Sequence, residues 1–125
     1  MTRTQVVISL LLQFIVAAIL GYAGLNKVMS SPMTVDMFTT LGMEPTGRYI
    51  IGSLEVIATL LLVTNTLAAV GAMIGISVML GAIIAHLTVL GASPSVALLA
   101  IVLIGCLTIA YIRRAQLPLI GTIVL

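Results

Sequence analysis

Charge is what this chain has least of. Only 6% of its 125 residues are charged and 62% are hydrophobic, where an average soluble domain carries roughly 25% charged residues. Eight charged side chains cannot cover the surface of a water-soluble domain this size, so lipid is the expected solvent. Cysteine is nearly absent as well: Cys106 stands alone in an apolar run, which excludes an intrachain disulfide, a CxxC redox pair and a thiolate cage for zinc or iron–sulfur. With His86 as the only histidine, one protomer cannot supply bis-histidine haem ligation or an HExxH zinc site. No metal site is expected. The glycine-rich phosphate loops and the GxSxG serine elbow are also missing, so nucleotide and serine-hydrolase chemistry have no local support. The five basic residues, Arg3, Lys27, Arg48, Arg113 and Arg114, are scattered. They form no patch that could follow a phosphate backbone, and nucleic acid is not an expected partner.

What the chain has in abundance is apolar length. Four runs stand out, with spans expected at about 6–25, 49–66, 67–90 and 96–112, against the about 20 residues that cross a bilayer as a helix. Thr64-Asn65-Thr66 makes a tight connection between the second and third, and the segment from Gly91 to Ser95 separates the third from the fourth. The first run is longer than the about 7 to 15 apolar residues of a signal peptide, and the packing needs it as a retained helix. The expected fold is therefore an all-α membrane protein, a single domain over 1–125 built as an antiparallel four-helix transmembrane bundle.

Asn26 to Arg48 is the one substantial polar stretch. Ser31 as N-cap, Pro32 at the first position and Gly42 as a left-handed C-cap predict a short helix, with Met33, Met37, Phe38 and Leu41 on one face. It reads as an interfacial connector rather than a lid. Arg3, Arg113 and Arg114 share the side of the termini, so the positive-inside rule predicts both termini in the cytoplasm of a cell (inner) membrane. The apolar tail from Leu117 to Leu125 is too short to span and is expected at the interface or against another protein.

An ionisable group inside a span costs a few kcal/mol on insertion scales, so each one needs a partner or a purpose. Glu55 falls about 9 Å below Tyr49 at the helical rise. His86 lies near the end of the third run and Lys27 just past the end of the first, and an antiparallel bundle brings all three to one membrane face. Lys27 read alone is a snorkelling anchor, and His86 read alone is a packing residue. Their common depth with Glu55 predicts a shared polar pocket near the outer face, with Lys27, Glu55 and His86 as candidate catalytic residues. Tyr22 and Asn26 on the first helix, Gly52 and Thr59 on the second, and Met79 and Ala82 on the third are candidate ligand-binding positions. Gly71 and Gly75 form a GxxxG step that permits close helix approach and turns His86 inward.

Gly24-Leu25-Asn26-Lys27, Phe38-Thr39-Thr40-Leu41-Gly42, Ile51-Gly52-Ser53-Leu54-Glu55-Val56 and the run Met79 to His86 resemble the motifs of the DoxX-like family of small four-helix membrane proteins. The resemblance covers about three quarters of the chain, and the family's lysine, glutamate and histidine fall on Lys27, Glu55 and His86. It implies a link to membrane redox systems, since the family takes its name from a subunit of a thiosulfate:quinone oxidoreductase. Relatives are also linked to enzyme maturation and membrane-protein assembly. The leading expectation is an accessory subunit of a redox or quinone-linked system. It would have no intrinsic cofactor and would hold a quinone or similar lipophilic small molecule beside a redox-protein partner in the lipid bilayer. Two alternatives stand beside it: an enzyme using Glu55 and His86 for acid–base chemistry on a lipophilic substrate, and an assembly factor or chaperone. A homo-oligomer is compatible with each.

Overall fold

The computed structural model describes residues 1–91 and 93–116. Helix α1 runs Arg3–Val28, α2 Pro32–Thr40, α3 Thr46–Leu62, α4 Ala68–Ala85 and α5 Pro94–Ile112; a π-helical turn, His86–Leu90, continues α4, and a 3₁₀ turn, Arg114–Gln116, follows α5. Three segments are long and apolar enough to cross a membrane: Arg3–Val28, Ala68–Leu90 and Pro94–Ile112. The 17-residue α3 is the fourth member of the bundle. It packs between α1 and α4, and α5 closes the ring by packing on α4 and α1. The chain is thus an all-α membrane protein, as its composition requires. The tail expected at the interface lies outside the described residues.

Helix ends are set by caps rather than by where apolarity stops. At the start of α1, Thr2 Oγ1 accepts from the Gln5 amide at 3.1 Å while the Thr2 amide donates to Gln5 Oε1 at 3.0 Å. This capping box satisfies two amides that would otherwise have no partner and starts the helix at Arg3, ahead of the expected Val6. At the other end, Ser30 takes φ 60°, and the Ser31 amide donates back to Asn26 O at 3.0 Å. That is the Schellman pattern, usually built on glycine. Lys27 consequently lies on α1 rather than past its end. Gly42 makes the same cap for α2, as its sequence position predicts: at φ 73°, it is followed by Met43, whose amide donates to Phe38 O at 2.9 Å. Helix α3 begins earlier and ends earlier than its hydropathy suggests, because Glu44 supports Arg48 in the first turn and Thr64 to Thr66 leave the helix for a turn.

Small side chains allow the helices to approach closely. Ala58, Ala68, Ala69, Ala72 and Cys106 are wholly buried, which is how helices associate when lipid removes the hydrophobic drive between them. A Cβ on Gly71 would stand 2.9 Å from Ala58 O, and one on Gly75 would stand 2.8 Å from Cys106 Sγ. The GxxxG step therefore serves both neighbours of α4. Outward-facing residues such as Leu11, Phe14, Leu60, Ile101 and Ile104 are exposed and form the lipid-facing surface.

The end of the bundle that carries the termini is closed by a polar network that hydropathy does not reveal. Arg113 is 5% exposed; its Nε donates to Ser9 Oγ at 2.7 Å and its Nη1 to Asn65 O at 3.1 Å. Ser9 Oγ passes a hydrogen bond to Gln13 Oε1 at 2.6 Å, and Gln13 Nε2 donates to Leu62 O at 2.7 Å. Gln116 Oε1 accepts from the Ala69 amide at 3.1 Å. The network therefore ties α1, the α3–α4 turn and the end of α5 through buried groups that all have partners, where a lone buried donor would cost about 1–3 kcal/mol.

Candidate functional site

At the opposite end the bundle opens into a cavity of about 410 Å³, within the range of small-molecule sites. Its wall is mostly apolar, and Lys27 from α1, Glu55 from α3 and His86 after α4 all line it.

The close approach of α1 and α3 sets the geometry of the pair. A Cβ on Gly24 would lie 2.9 Å from Gly52 O, and one on Gly52 would lie 2.8 Å from Lys27 Cβ, so only glycine lets the two backbones meet there. That contact lays the Lys27 side chain over α3. Its Nζ comes within 2.8 Å of Glu55 Oε1, with the lysine side chain 15% and the glutamate side chain 1% exposed. The ammonium and the buried carboxylate therefore stand as an ion pair on the cavity wall. One turn further along, Thr59 Oγ1 donates to Glu55 O at 3.0 Å and to Ala17 O at 3.2 Å. Thr59 thereby fastens α3 to α1 below the pair.

His86 opens the π-helical turn, a local widening of the helix that often accompanies functional side chains. Its Nδ1 lies 2.8 Å from Ala82 O. A carbonyl can only accept, so Nδ1 carries the proton and, in the neutral ring, Nε2 is an acceptor. No hydrogen bond or ion pair joins His86 to Lys27 or Glu55 among the described residues; what the three share is the cavity.

Helix α2 contributes more than a connection. Met37, Phe38 and Leu41, followed by Met43, line the cavity opposite α5 residues Leu98, Leu99 and Val102. Phe38 is buried, whereas Met33, expected on the same face, is 72% exposed and its place is taken by buried Thr34. Thr34 Oγ1 donates to Ser31 O at 2.9 Å and Asn26 O at 3.2 Å, holding α2 against the end of α1. The connector is therefore a roof over the cavity.

The candidate ligand-binding positions separate into two groups. Met79 and Ala82 line the cavity with His86; Tyr22, Asn26, Gly52 and Thr59 do not. Tyr22 is 74% exposed, because it stands about 100° around the helix from Ala23, on the stripe that faces away from the pocket. Asn26 is engaged through its carbonyl in the α1 cap. Gly52 and Thr59 act on the site through backbone packing.

Arg48 is a residue that sequence reasoning counted only as a charge. It is 3% exposed, with Nε 2.8 Å from Glu44 Oε2 and Nη1 donating to Ser30 Oγ at 2.8 Å and to Lys27 O. Its guanidinium also stacks 4.3 Å from the Tyr49 ring centroid. Its Nε and Nη2 donate to the Glu44 carboxylate, which pairs a cation that arginine never loses. By donating to Lys27 O and to the Ser30 hydroxyl just past the helix, Arg48 fixes the turn of α1 that carries Lys27. The Glu44–Arg48 spacing of four at a helix start was the available signal. Among the described residues, no group of three or more histidine, cysteine, aspartate or glutamate side chains is placed to hold a metal ion.

A helical membrane bundle with a polar-headed apolar cavity is the class that this geometry defines. The sequence profile of the DoxX-like family matches residues 11–110, and the chain belongs to that family. No curated protein and no solved structure gives a significant match.

Proposed function

We propose that the chain is a ligand-binding accessory subunit of a membrane redox or quinone-linked system. It would sit in the cytoplasmic membrane with both termini in the cytoplasm and the cavity near the outer face. The observation that carries this reading is the convergence of Lys27, Glu55 and His86 from three helices on one apolar cavity. The buried polar groups would orient a lipophilic molecule whose body lies among Leu98, Leu99 and Val102. A quinone fits these groups: Lys27 would donate to a carbonyl oxygen, and in the reduced quinol a hydroxyl would donate to His86. When bound, it would supply the electron chemistry that these side chains lack, with a redox-protein partner at the other end of the transfer.

The test is purification from native membranes without overexpression of any partner. The expected result is co-purification with a flavin, haem or copper protein, lost when the cavity is filled by Ala82→Phe. A chain that converts a lipophilic substrate unaided would replace this reading with the enzymatic one, which rests on Glu55 and His86 facing the same space. If Glu55→Gln left maturation of a partner intact while ligand binding disappeared, the assembly role would stand instead.

A further inference from the structure

Two arginines and a lysine hold positive charge inside the bundle, and they are not alike. Arg48 and Arg113 are almost fully buried, each is held by several hydrogen bonds, and neither lines the cavity. Arginine keeps its proton in proteins. Lys27, the one lysine in the chain, is the cation on the cavity wall, and lysine is the cation that can give its proton up. A recipient stands beside it: Glu55 Oε1 lies 2.8 Å from Nζ, with both side chains largely withdrawn from solvent. Both charges are expensive among apolar walls, and passing one proton across that contact removes both without changing the net charge. The product is a neutral amine, which is a nucleophile, beside a carboxyl group that can donate. In front of the amine lies the cavity of about 410 Å³, largely apolar from Phe38 and Leu41 under the roof to Leu99 and Val102 on α5.

We propose that Lys27 is a covalent capture site for lipophilic aldehydes, forming a Schiff base through Nζ with Glu55 as proton carrier and final counter-ion. This goes beyond the redox reading, because it needs the cavity but neither a quinone nor a partner protein. Nζ, having passed a proton to Glu55, adds its lone pair to the carbonyl carbon, and the π pair of the C=O bond moves to oxygen. Glu55 protonates that oxygen and takes a proton from the nitrogen, giving the carbinolamine. Glu55 then gives this proton to the hydroxyl, the C–O bond breaks with loss of water, and the nitrogen lone pair closes the C=N bond. The iminium carries the charge that the ammonium carried, against the same carboxylate. One aldehyde is consumed and one water released, with no change in oxidation state and no proton exchanged with solvent. The apolar chain of the aldehyde occupies the space under α2, which restricts the reaction to lipophilic aldehydes.

The probe is decanal, added to the purified protein in detergent micelles with cyanoborohydride, which reduces the iminium in place to a stable secondary amine. Peptide mass spectrometry then locates the label, and the α-amine of exposed Met1 is the reference within the same chain. An ordinary lysine holds its proton more tightly than an α-amine and labels more slowly near neutral pH. Lys27 is expected to label about 100-fold faster than Met1, the lower end of what a positioned acid–base group contributes. In Ala82→Phe, which fills the cavity, the ratio should fall to that of an ordinary lysine. Glu55→Gln, which can neither take nor return the proton, should slow labelling of Lys27 by about 100-fold. The deciding ratio is read in the unmutated protein and so does not depend on either variant folding. Labelling of Lys27 no faster than Met1 there overturns the proposal and leaves Lys27 a charged member of an ion pair. Fast labelling that survives Ala82→Phe overturns the cavity as the source of selectivity, and fast labelling that survives Glu55→Gln overturns the proton-carrying role of Glu55.

Discussion

Removing one member of the Lys27–Glu55 pair should cost far more than removing both. Lys27→Met leaves a carboxylate 1% exposed with no counter-charge in reach, whereas Glu55→Leu leaves an ammonium that is 15% exposed near the end of α1. The lysine can extend its amine toward the headgroups, but the glutamate, two turns inside α3, has no such escape. Breaking a buried pair costs about 3–5 kcal/mol, and Lys27→Met should fall in that range. Glu55→Leu should cost less, about 1–2 kcal/mol, as a half-buried lysine that reaches the headgroups recovers much of its hydration. The double variant, with both charges replaced by apolar groups of similar volume, should lie close to the parent. The assay is reversible unfolding in mixed micelles titrated with dodecyl sulfate and followed by circular dichroism. A coupling energy of 2 kcal/mol or more, roughly, is the expected outcome of the cycle. Losses that add to within about 0.5 kcal/mol would show that the two side chains do not interact, and Lys27 would then be an ordinary interfacial anchor.

Gly52→Ala places a Cβ 2.8 Å from Lys27 Cβ, so α1 and α3 must separate, and a loss of about 1–3 kcal/mol in the same assay is expected; Gly81→Ala, with nothing within 4 Å of its added Cβ, serves as the control and should be neutral or mildly stabilising. Ser30→Ala should be less stable than Ser30→Gly by about 1 kcal/mol, because both lose the Arg48 contact but only glycine accepts the left-handed backbone freely; equal stabilities would refute the serine cap. Arg113→Lys keeps the charge but cannot reach Ser9 Oγ and Asn65 O together, and should lose about 1.5–3 kcal/mol; a fully stable lysine variant would reduce Arg113 to a topological charge. Reporter fusions after residues 30, 65, 93 and 125 should alternate in exposure, starting outside, and an exported signal at 125 would overturn the orientation.

Much of the bundle was legible because apolar length is a direct record of a lipid solvent, and much of the site because an ionisable group in hydrocarbon is expensive wherever it falls. The stripe Met79, Ala82, His86 emerged from helical period alone, and it faces the cavity. What the sequence concealed has two physical causes. Hydropathy marks where side chains stop being apolar, but backbone hydrogen bonding continues to the next cap, so α1 reaches Val28 through polar Asn26 and Lys27. A charged residue also carries no sign of whether it will be solvated. Arg48 and Arg113 look like surface cations in the sequence, yet each is almost fully buried because carbonyls and hydroxyls from distant helices converge on it. Tyr22 illustrates a third, smaller difficulty: proximity in sequence to Lys27 suggested a shared mouth, and one residue of helical rotation places the phenol on the outer surface.

The two ends of the bundle divide their polar groups differently, and the division bears on what the chain can do. At the end with the termini, Arg113, Ser9, Gln13 and Gln116 spend their hydrogen bonds on one another and on backbone carbonyls or amides. Such a network rigidifies three helices and leaves little for a ligand to complete. At the other end, Arg48 and Thr34 secure the backbone of α1 and α2, but the Lys27–Glu55 pair faces the cavity with ammonium hydrogens still unspent. A buried ion pair with hydrogen bonds left open is tolerated only where the rest of the fold can carry its cost. The closed network supplies that reserve, so the helices need not rearrange around the pair, and the cavity can retain open hydrogen-bonding positions. This predicts that weakening the far end, by Ser9→Ala or Arg113→Lys, lowers stability without altering the coupling energy of the Lys27–Glu55 pair. Loss of that coupling energy in either variant, with the bundle still folded, would mean that the two ends are coupled and that the cavity is not held independently.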